Sequence, residues 1–257
     1  MNTETQSPPS DFRFQREKAW LALLLAWVAG FADAVGFVTL IHIFTSHISG
    51  NTVTMGVHLG HHEWNEAFHS AYPIPLFLLG FFAGAVLETI AKRNGIRRRL
   101  SLGLVVEVAL LLVFMLYGSR VADSDQLRAH PAWEFQLFTA LLAIALGLQS
   151  STLRRVRGQS VHTTYITGML TQFTEDAEAW LFHLFDRLRG KPPGESNPIN
   201  EDHVGKMILY GGIWLAFALG AICGGFGEQK WGLFSLTAPL CVLAFIILCD
   251  LIRPVHV

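Results

Sequence analysis

The sequence predicts an all-α integral membrane protein with about six transmembrane helices, arranged as two inverted three-helix repeats. First, only 15% of the residues are charged, whereas soluble domains carry about 25%. Second, the charges separate apolar runs of roughly 17 to 22 residues, the length that crosses about 30 Å of hydrocarbon as helix. Third, the two halves of the chain resemble each other in several short stretches.

The first apolar run follows a polar stretch, residues 1–18, which we predict to be a disordered cytoplasmic tail. The beginning of the chain has features of a signal peptide, with basic residues, an apolar run and an Ala32-Asp33-Ala34 triplet. Because the apolar pattern resumes directly at Val35, we interpret it as a retained transmembrane helix over residues 20–43.

Five further spans are predicted over residues 74–91, 101–118, 135–153, 206–226 and 232–252. Six spans place both termini on the same side of the membrane. With a cytoplasmic N-terminus, only Arg120, Arg128 and Lys230 of the 19 basic residues lie outside. The positive-inside rule therefore predicts a multi-pass protein of the bacterial inner membrane with both termini in the cytoplasm.

Between the fourth and fifth spans, residues 173–189 alternate apolar and acidic side chains with a helical period. This pattern predicts an amphipathic helix on the inner membrane surface, most simply a structural strut.

The repeats are predicted to comprise residues 19–128 and 129–257. Residues 29–34, 49–52 and 80–85 correspond in order to 146–151, 167–170 and 216–221. Because each repeat has an odd number of spans, the second lies upside down relative to the first. Inverted repeats with interrupted helices are typical of secondary transporters, and we expect the interruptions near Gly50 and Gly168.

The same motifs carry a family resemblance. The pattern Ala29-Gly30-x-x-Asp33-Ala34-x-Gly36, then residues 49–52 and the Thr163-Thr164-Tyr165-x-Thr167-Gly168 stretch, resemble the YoaK-like family of bacterial multi-pass membrane proteins. The resemblance extends over about residues 20–252. It implies a multi-pass inner-membrane protein and supplies neither a substrate nor catalytic residues.

Asp33 is the first candidate for chemistry, because ionisable groups at membrane depth are costly and often functional. It lies about 13 residues into the first helix, or roughly 20 Å along its axis, with no basic residue within one turn. We hypothesise that Asp33 binds a coupling proton or cation. The alternative is a structural carboxylate held by hydroxyls or helix-end amides of the other half.

Glu107 lies about seven residues into the third span. We expect it either to face the same cavity as Asp33 or to pair with the nearby basic loop. Other polar residues of the two matching stretches either surround a polar substrate or satisfy backbone groups freed at helix breaks. They are Ser46, His47, Ser49, Asn51, Thr52, Gln149, His162, Thr163, Thr164 and Thr167.

A histidine-rich segment follows the first of these stretches, with His58, His61, His62 and His69 near Glu63. Imidazoles suit transition metals, but the aromatic residues of this segment are equally typical of an interfacial helix. We predict no metal and no cofactor. The three cysteines lack metal-ligand spacing.

No nucleophile–base arrangement or phosphate-binding glycine loop occurs, so we predict no enzymatic activity. The leading hypothesis is a secondary transporter for a small polar solute or ion, with proton coupling as an option. The alternative is a non-catalytic membrane scaffold or accessory subunit. The expected partners are the lipid bilayer and an unidentified small molecule or ion, without nucleic acid; a homo-oligomer is left open.

Overall fold

The fold is described from a computed structural model, in which residues 12–96, 98–121, 133–152, 155–156, 159–160, 166–189 and 201–252 are described. These residues are almost entirely helical. The helices are α1 (Phe12–Thr39), α2 (Ile48–Gly60), α3 (Trp64–Ala71), α4 (Pro73–Arg93), α5 (Arg99–Val121), α6 (Trp133–Thr152), α7 (Ile166–Leu188), α8 (Glu201–Trp231) and α9 (Thr237–Ile252). Two short strands, β1 (Arg155–Val156) and β2 (Gln159–Ser160), form an antiparallel pair between α6 and α7.

Five segments of the described chain are long and apolar enough to cross a membrane. They are Lys18–Thr39, Trp64–Arg93, Arg99–Val121, Trp133–Thr152 and Val204–Ile252. The last has 49 residues, whereas one crossing needs about 20. A 3-10 turn, Gly232–Leu236, divides it into α8 and α9. Gly232 begins this turn with a positive φ of 56°, a conformation that glycine adopts without strain.

Several of the predicted boundaries differ from the structure, the largest differences being in α1 and in the amphipathic helix. Helix α1 begins at Phe12, inside the expected polar tail, and ends at Thr39 rather than at residue 43. Residues 1–11 of that tail lie outside the described residues. The predicted amphipathic helix is present as α7, which begins seven residues earlier than expected.

The helix breaks do not lie at the two glycines themselves. Gly50 lies in the first turn of α2 and Gly168 in the first turn of α7, so both residues are helical. The first break instead covers residues 40–47, which we call the connector. Within it, Ile41 and His42 have positive φ angles of 54° and 64°. These residues turn the chain without a glycine, which is uncommon and costs of order 1–3 kcal/mol per residue.

The packing crosses between the two halves of the chain. Helix α1 packs mainly on α8, and α4 packs mainly on α6. Glycines allow both pairs to approach closely, because a Cβ at Gly30 would collide with the carbonyl oxygen of Phe217, and one at Gly147 with that of Phe77. Such close contacts of small residues are typical of helix association in membranes.

Individual contacts also give the helix directions. In α1 and α8, Trp27 lies against Gly220 and Phe31 against Gly224, so these two helices run parallel. The contacts of Gly80 with Ile144 and of Gly84 with Leu148 make α4 and α6 parallel as well. However, α1 and α6 are antiparallel, because Leu25 contacts Gln149 and Gly36 contacts Leu142. The α1–α8 pair and the α4–α6 pair therefore point in opposite directions.

Candidate functional site

The Asp33 carboxylate is buried in α1, with 4% of the residue exposed, and holds the connector in place. Its Oδ1 accepts hydrogen bonds from the backbone N–H of Thr45 (3.3 Å), the Thr45 hydroxyl (2.9 Å) and the backbone N–H of Ser46 (3.1 Å). The donors are a hydroxyl and amides, as the structural alternative expects, but they belong to the first half of the chain. Asp33 therefore satisfies backbone groups that the helix break leaves free.

The second carboxylate oxygen of Asp33 contacts His47. The distance from Oδ2 to Nδ1 is 2.7 Å, and 34% of the His47 side chain is exposed. The hydrogen bond to Asp33 raises the pKa of His47 above its ordinary value, although partial burial opposes this change. The ring also lies between Phe44 at 5.1 Å and Phe217 of α8 at 5.9 Å between centroids. His47 thus joins the connector to the second half of the protein.

Two other predicted residues have structural contacts in this region. Asn51 is buried, and its Nδ2 donates to the Phe44 carbonyl oxygen at 2.6 Å, which closes the connector onto α2. Thr52 is exposed and donates to the Ile48 carbonyl oxygen at 2.8 Å. Ser49 is exposed in the first turn of α2.

A pocket of about 490 Å³ lies against the connector. Its walls come from the connector, α2, α3 and the beginning of α6. The lining combines three imidazoles, a carboxylate, an amide and two hydroxyls with three apolar side chains: His42, His58, His69, Glu66, Asn51, Thr54, Ser70, Ile41, Ile43 and Phe135. The size lies in the range of small-molecule sites, about 300–1,000 Å³.

The pocket includes only part of the predicted histidine cluster. His58 and His69 line it, and His58 Nδ1 is also 2.6 Å from Glu63 Oε2. His61 and His62 do not line it. In the described part of the chain, no three His, Cys, Asp or Glu side chains are grouped so that they could hold a metal ion. The arrangement suits recognition of a polar solute.

The sequence prediction missed several pocket residues. His42, Glu66 and Ser70 were not among the candidates, although each lines the pocket. The only available signal was position: His42 lies at the end of the first predicted span, and Glu66 and Ser70 lie between the first two spans, next to residues that were candidates.

Glu107 and Gln149 lie elsewhere, in the core of the bundle. Both residues are fully buried. Neither carboxylate oxygen of Glu107 has a hydrogen-bond partner among the described residues. Gln149 Nε2 donates to the Leu25 carbonyl oxygen at 2.8 Å, whereas its Oε1 lacks a partner within the same residues. Glu107 does not line the pocket beside the connector. That Glu107 faces a cavity shared with the polar stretches stays a prediction.

The matching stretch of the second half is described only in part. His162, Thr163 and Thr164 lie outside the described residues. Thr167 is exposed in the first turn of α7, and its carbonyl oxygen accepts a hydrogen bond from the Thr171 hydroxyl at 3.0 Å. A meeting of the two polar stretches therefore stays a prediction.

One further buried carboxylate was not predicted. Asp250, near the end of α9, accepts hydrogen bonds from the hydroxyl of Ser101 and, at 3.2 Å, from its backbone N–H. Ser101 lies in the first turn of α5, where backbone N–H groups lack partners within the helix. Asp250 therefore caps α5 from another helix, much as Asp33 of α1 holds the connector.

Comparison with known proteins identifies the family. The family described as "Protein of unknown function (DUF1275)" matches residues 21–249. The chain belongs to this family. It is also 26% identical over 166 residues to the UPF0700 transmembrane protein YoaK of Bacillus subtilis (strain 168), a match that covers 63% of this chain and 68% of that protein. No solved structure matches the chain. Together these matches confirm the resemblance to YoaK and assign the chain to a family of membrane proteins.

Proposed function

We propose that this protein is a secondary transporter, rather than an enzyme, for a small polar solute or ion. The observation that carries this proposal is the pocket of about 490 Å³ against the connector. A packing device has no need for a cavity of ligand size lined by several hydrogen-bonding side chains. An imidazole in its neutral form both donates and accepts hydrogen bonds, so histidines in the lining suit a polar solute.

The connector links the pocket to a proton-binding pair. Its first residues, Ile41 and His42, line the pocket, and its last residues are held by Asp33. Because His47 bonds directly to Asp33, which raises the pKa of the imidazole above its ordinary value, a change in its protonation would alter the hold on the connector. The strained backbone at Ile41 and His42 supports movement of the connector during transport, because such strain is frequent at functional sites. This arrangement supports proton coupling through Asp33.

Two inverted three-helix repeats with six spans are part of the proposal. The equivalent helices would be α1 with α6, and α4 with α8. If each helix is replaced by its equivalent in the other half, the α1–α8 contact becomes the α6–α4 contact. These two helix pairs point in opposite directions, as an inverted repeat requires. The division of Val204–Ile252 by the Gly232 turn supports counting six spans rather than five.

The glycine contacts support a more exact alignment of the repeats. Gly30 and Gly147 have equivalent contacts, as in the sequence alignment. However, Gly80 is equivalent to Gly220 rather than to Ala216, and Gly84 to Gly224. The sequence alignment of α4 with α8 is therefore displaced by one helical turn, because small residues recur every four positions in α8.

The distribution of basic residues supports a bacterial inner-membrane location with both termini in the cytoplasm. In this orientation the pocket faces the outer side, because it is built from the segment between the first two spans and from Phe135, near the beginning of the fourth. Solute would therefore enter the pocket from outside the cell.

A scaffold or accessory subunit is the second candidate. The hydrogen bonds of Asp33 favour it, because both carboxylate oxygens already have partners within the protein. In that case the polar stretch would serve only to satisfy the backbone at the helix break.

A ligand screen on the detergent-solubilised protein separates the two candidates. We expect the melting temperature to rise with one class among polar metabolites and inorganic ions. The rise should be lost in His69→Gln, which changes the pocket lining, and kept in His61→Gln, which changes an exposed histidine outside it. The stabilising compound should then accumulate in proteoliposomes.

Two outcomes would argue against transport. If no compound class shifts the melting temperature, or if both histidine variants respond equally, the pocket is not a binding site and the scaffold is favoured. If a compound binds but its uptake and proton flux are unchanged in Asp33→Asn, the pocket stands and the coupling role of Asp33 fails.

A further inference from the structure

Glu107 has an environment that an ionised carboxylate does not tolerate. It lies eight residues into α5, or about 12 Å along the helix axis, within the membrane-spanning segment Arg99–Val121. The residue has no exposed surface, and both carboxylate oxygens lack a hydrogen-bond partner in the described part of the chain. An unpaired buried charge costs several kcal/mol, whereas a neutral carboxylic acid avoids most of this cost.

Gln149 supplies an acceptor at the same level of the core. Helix α6 runs antiparallel to α5, and two contacts set their register: Gly103 with Thr152, and Phe114 with Phe138. This register puts Glu107 and Gln149 within about one helical turn, 5.4 Å, of each other along the axis. The Gln149 amide nitrogen is engaged by α1, and its oxygen has no donor among the described residues.

The two carboxylate oxygens of Glu107 and the Oε1 of Gln149 all lack a hydrogen-bond donor among the described residues. A metal cation would need more oxygen ligands than these three. One hydrogen on Glu107 supplies the missing donor and removes the buried charge. The chemistry of the oxygens therefore favours a proton.

We propose that Glu107, with Gln149 as its acceptor, is a buried proton-binding site that is occupied at neutral pH. The charged groups on the helices packed against α5 are Glu88, Lys92 and Arg93 on α4, Glu134 on α6 and Asp250 on α9. Lys92 and Arg93 lie in the last turn of α4. Asp250 already accepts hydrogen bonds from Ser101. Arg99 and Arg120 lie at the two ends of α5. None of these provides a positive charge near the middle of α5.

The role of this site in transport rests on the proposed function. Helix α6 contacts α5 along its length and carries Phe135 in the pocket lining. Loss of the proton leaves Glu107 as a carboxylate, which is stable only when water or a donor reaches it. Proton release therefore requires the α5–α6 contact to open, and this opening would couple proton release to the pocket.

Infrared spectroscopy tests the proton occupancy directly, without a transport assay. In the purified wild-type protein at pH 7, we expect the carbonyl stretch of a protonated carboxylic acid, shifted by exchange into D₂O. The band should disappear in Glu107→Gln, which has nearly the same shape, and persist in the matched control Glu134→Gln. Gln149→Leu should keep the band but move it to higher frequency, because the acid loses its acceptor.

The proposal is overturned if the wild type lacks this band at neutral pH, or if the band survives in Glu107→Gln. A melting temperature that rises with Na⁺ but not with K⁺, and only when Glu107 is present, would also overturn it, in favour of a bound metal cation. Conversely, a band with these properties in a protein that transports nothing would retain the proton site and reject the transporter.

Discussion

Removal of the Asp33 carboxylate should destabilise the protein through the connector. In Asp33→Ala, the backbone N–H groups of Thr45 and Ser46 lose their acceptor while both residues stay buried. Each unsatisfied buried donor costs about 1–3 kcal/mol, so the free energy of unfolding should fall by about 2–6 kcal/mol. For a chain of this size, the loss corresponds to a decrease in melting temperature on the order of 10 °C.

Asp33→Asn should have a smaller effect. The amide oxygen keeps an acceptor for Thr45 and Ser46, and the amide nitrogen can donate to neutral His47. Only the charge-assisted part of these bonds is lost, and no buried donor is left without an acceptor, so the free energy of unfolding should fall by less than in Asp33→Ala. Glu178→Ala, an exposed carboxylate on α7, is the matched control and should leave the melting temperature unchanged.

Thermal unfolding of the detergent-solubilised variants, followed by intrinsic fluorescence, measures this order of stability. The reasoning is refuted if Asp33→Ala melts within about 2 °C of the wild type, a change of less than about 1 kcal/mol. It is also refuted if Asp33→Asn is as unstable as Asp33→Ala, because the charge rather than the acceptor geometry would then hold the connector.

Three other outcomes are expected from the same assay. The hydrogen bond to Asp33 raises the pKa of His47, so the stability that this bond contributes is fully present below the unfolded pKa of about 6.5 and is lost as pH rises through the folded pKa. His47→Gln should therefore reduce the decrease in melting temperature over this pH range. An equal decrease in both proteins would contradict the prediction. Gly30→Ala should cost about 1–3 kcal/mol because its Cβ meets backbone, whereas Gly56→Ala, with open space around it, should not; equal melting temperatures would exclude the close contact. Asn51→Ala should cost about 1–3 kcal/mol because a carbonyl oxygen of the connector loses its donor, and a neutral result would show that water replaces the amide.

The sequence was a good guide to the membrane segments, because their length and composition are set by the bilayer. It was also a good guide to Asp33, since a carboxylate in an apolar run requires a reason. The partners of Asp33 could not be predicted in the same way. They depend on a chain reversal at Ile41 and His42, where neither glycine, proline nor asparagine marks the turn.

Glycine was the misleading signal. Gly50 and Gly168 resembled helix breaks, yet both are helical. Gly30 and Gly147 instead allow two backbones to touch. Sequence alone does not separate these uses, because a glycine that packs against a neighbouring helix and one that ends a helix have the same local context.

The histidine segment was difficult for a related reason. His58 and His69 belong to the histidine-rich segment that the sequence shows, but the pocket is also lined by His42 from the connector and Phe135 from α6. These residues meet only after the helices have packed. Similarly, the lack of a partner for Glu107 is a property of the whole core, and no local pattern records it.

The crossed packing of the halves has a consequence for the synthesis of the protein. The glycine face of α1 finds its partner only when α8 has emerged, about 190 residues later, which takes roughly 10–40 seconds at 5–20 residues per second. During that interval α1 stands in the bilayer, or beside the insertion machinery, with its most closely packed surface unpaired. The first half of the chain is therefore an unfinished structure until the second half is made, and a ribosome that stops between the halves leaves a product without its main helix contacts.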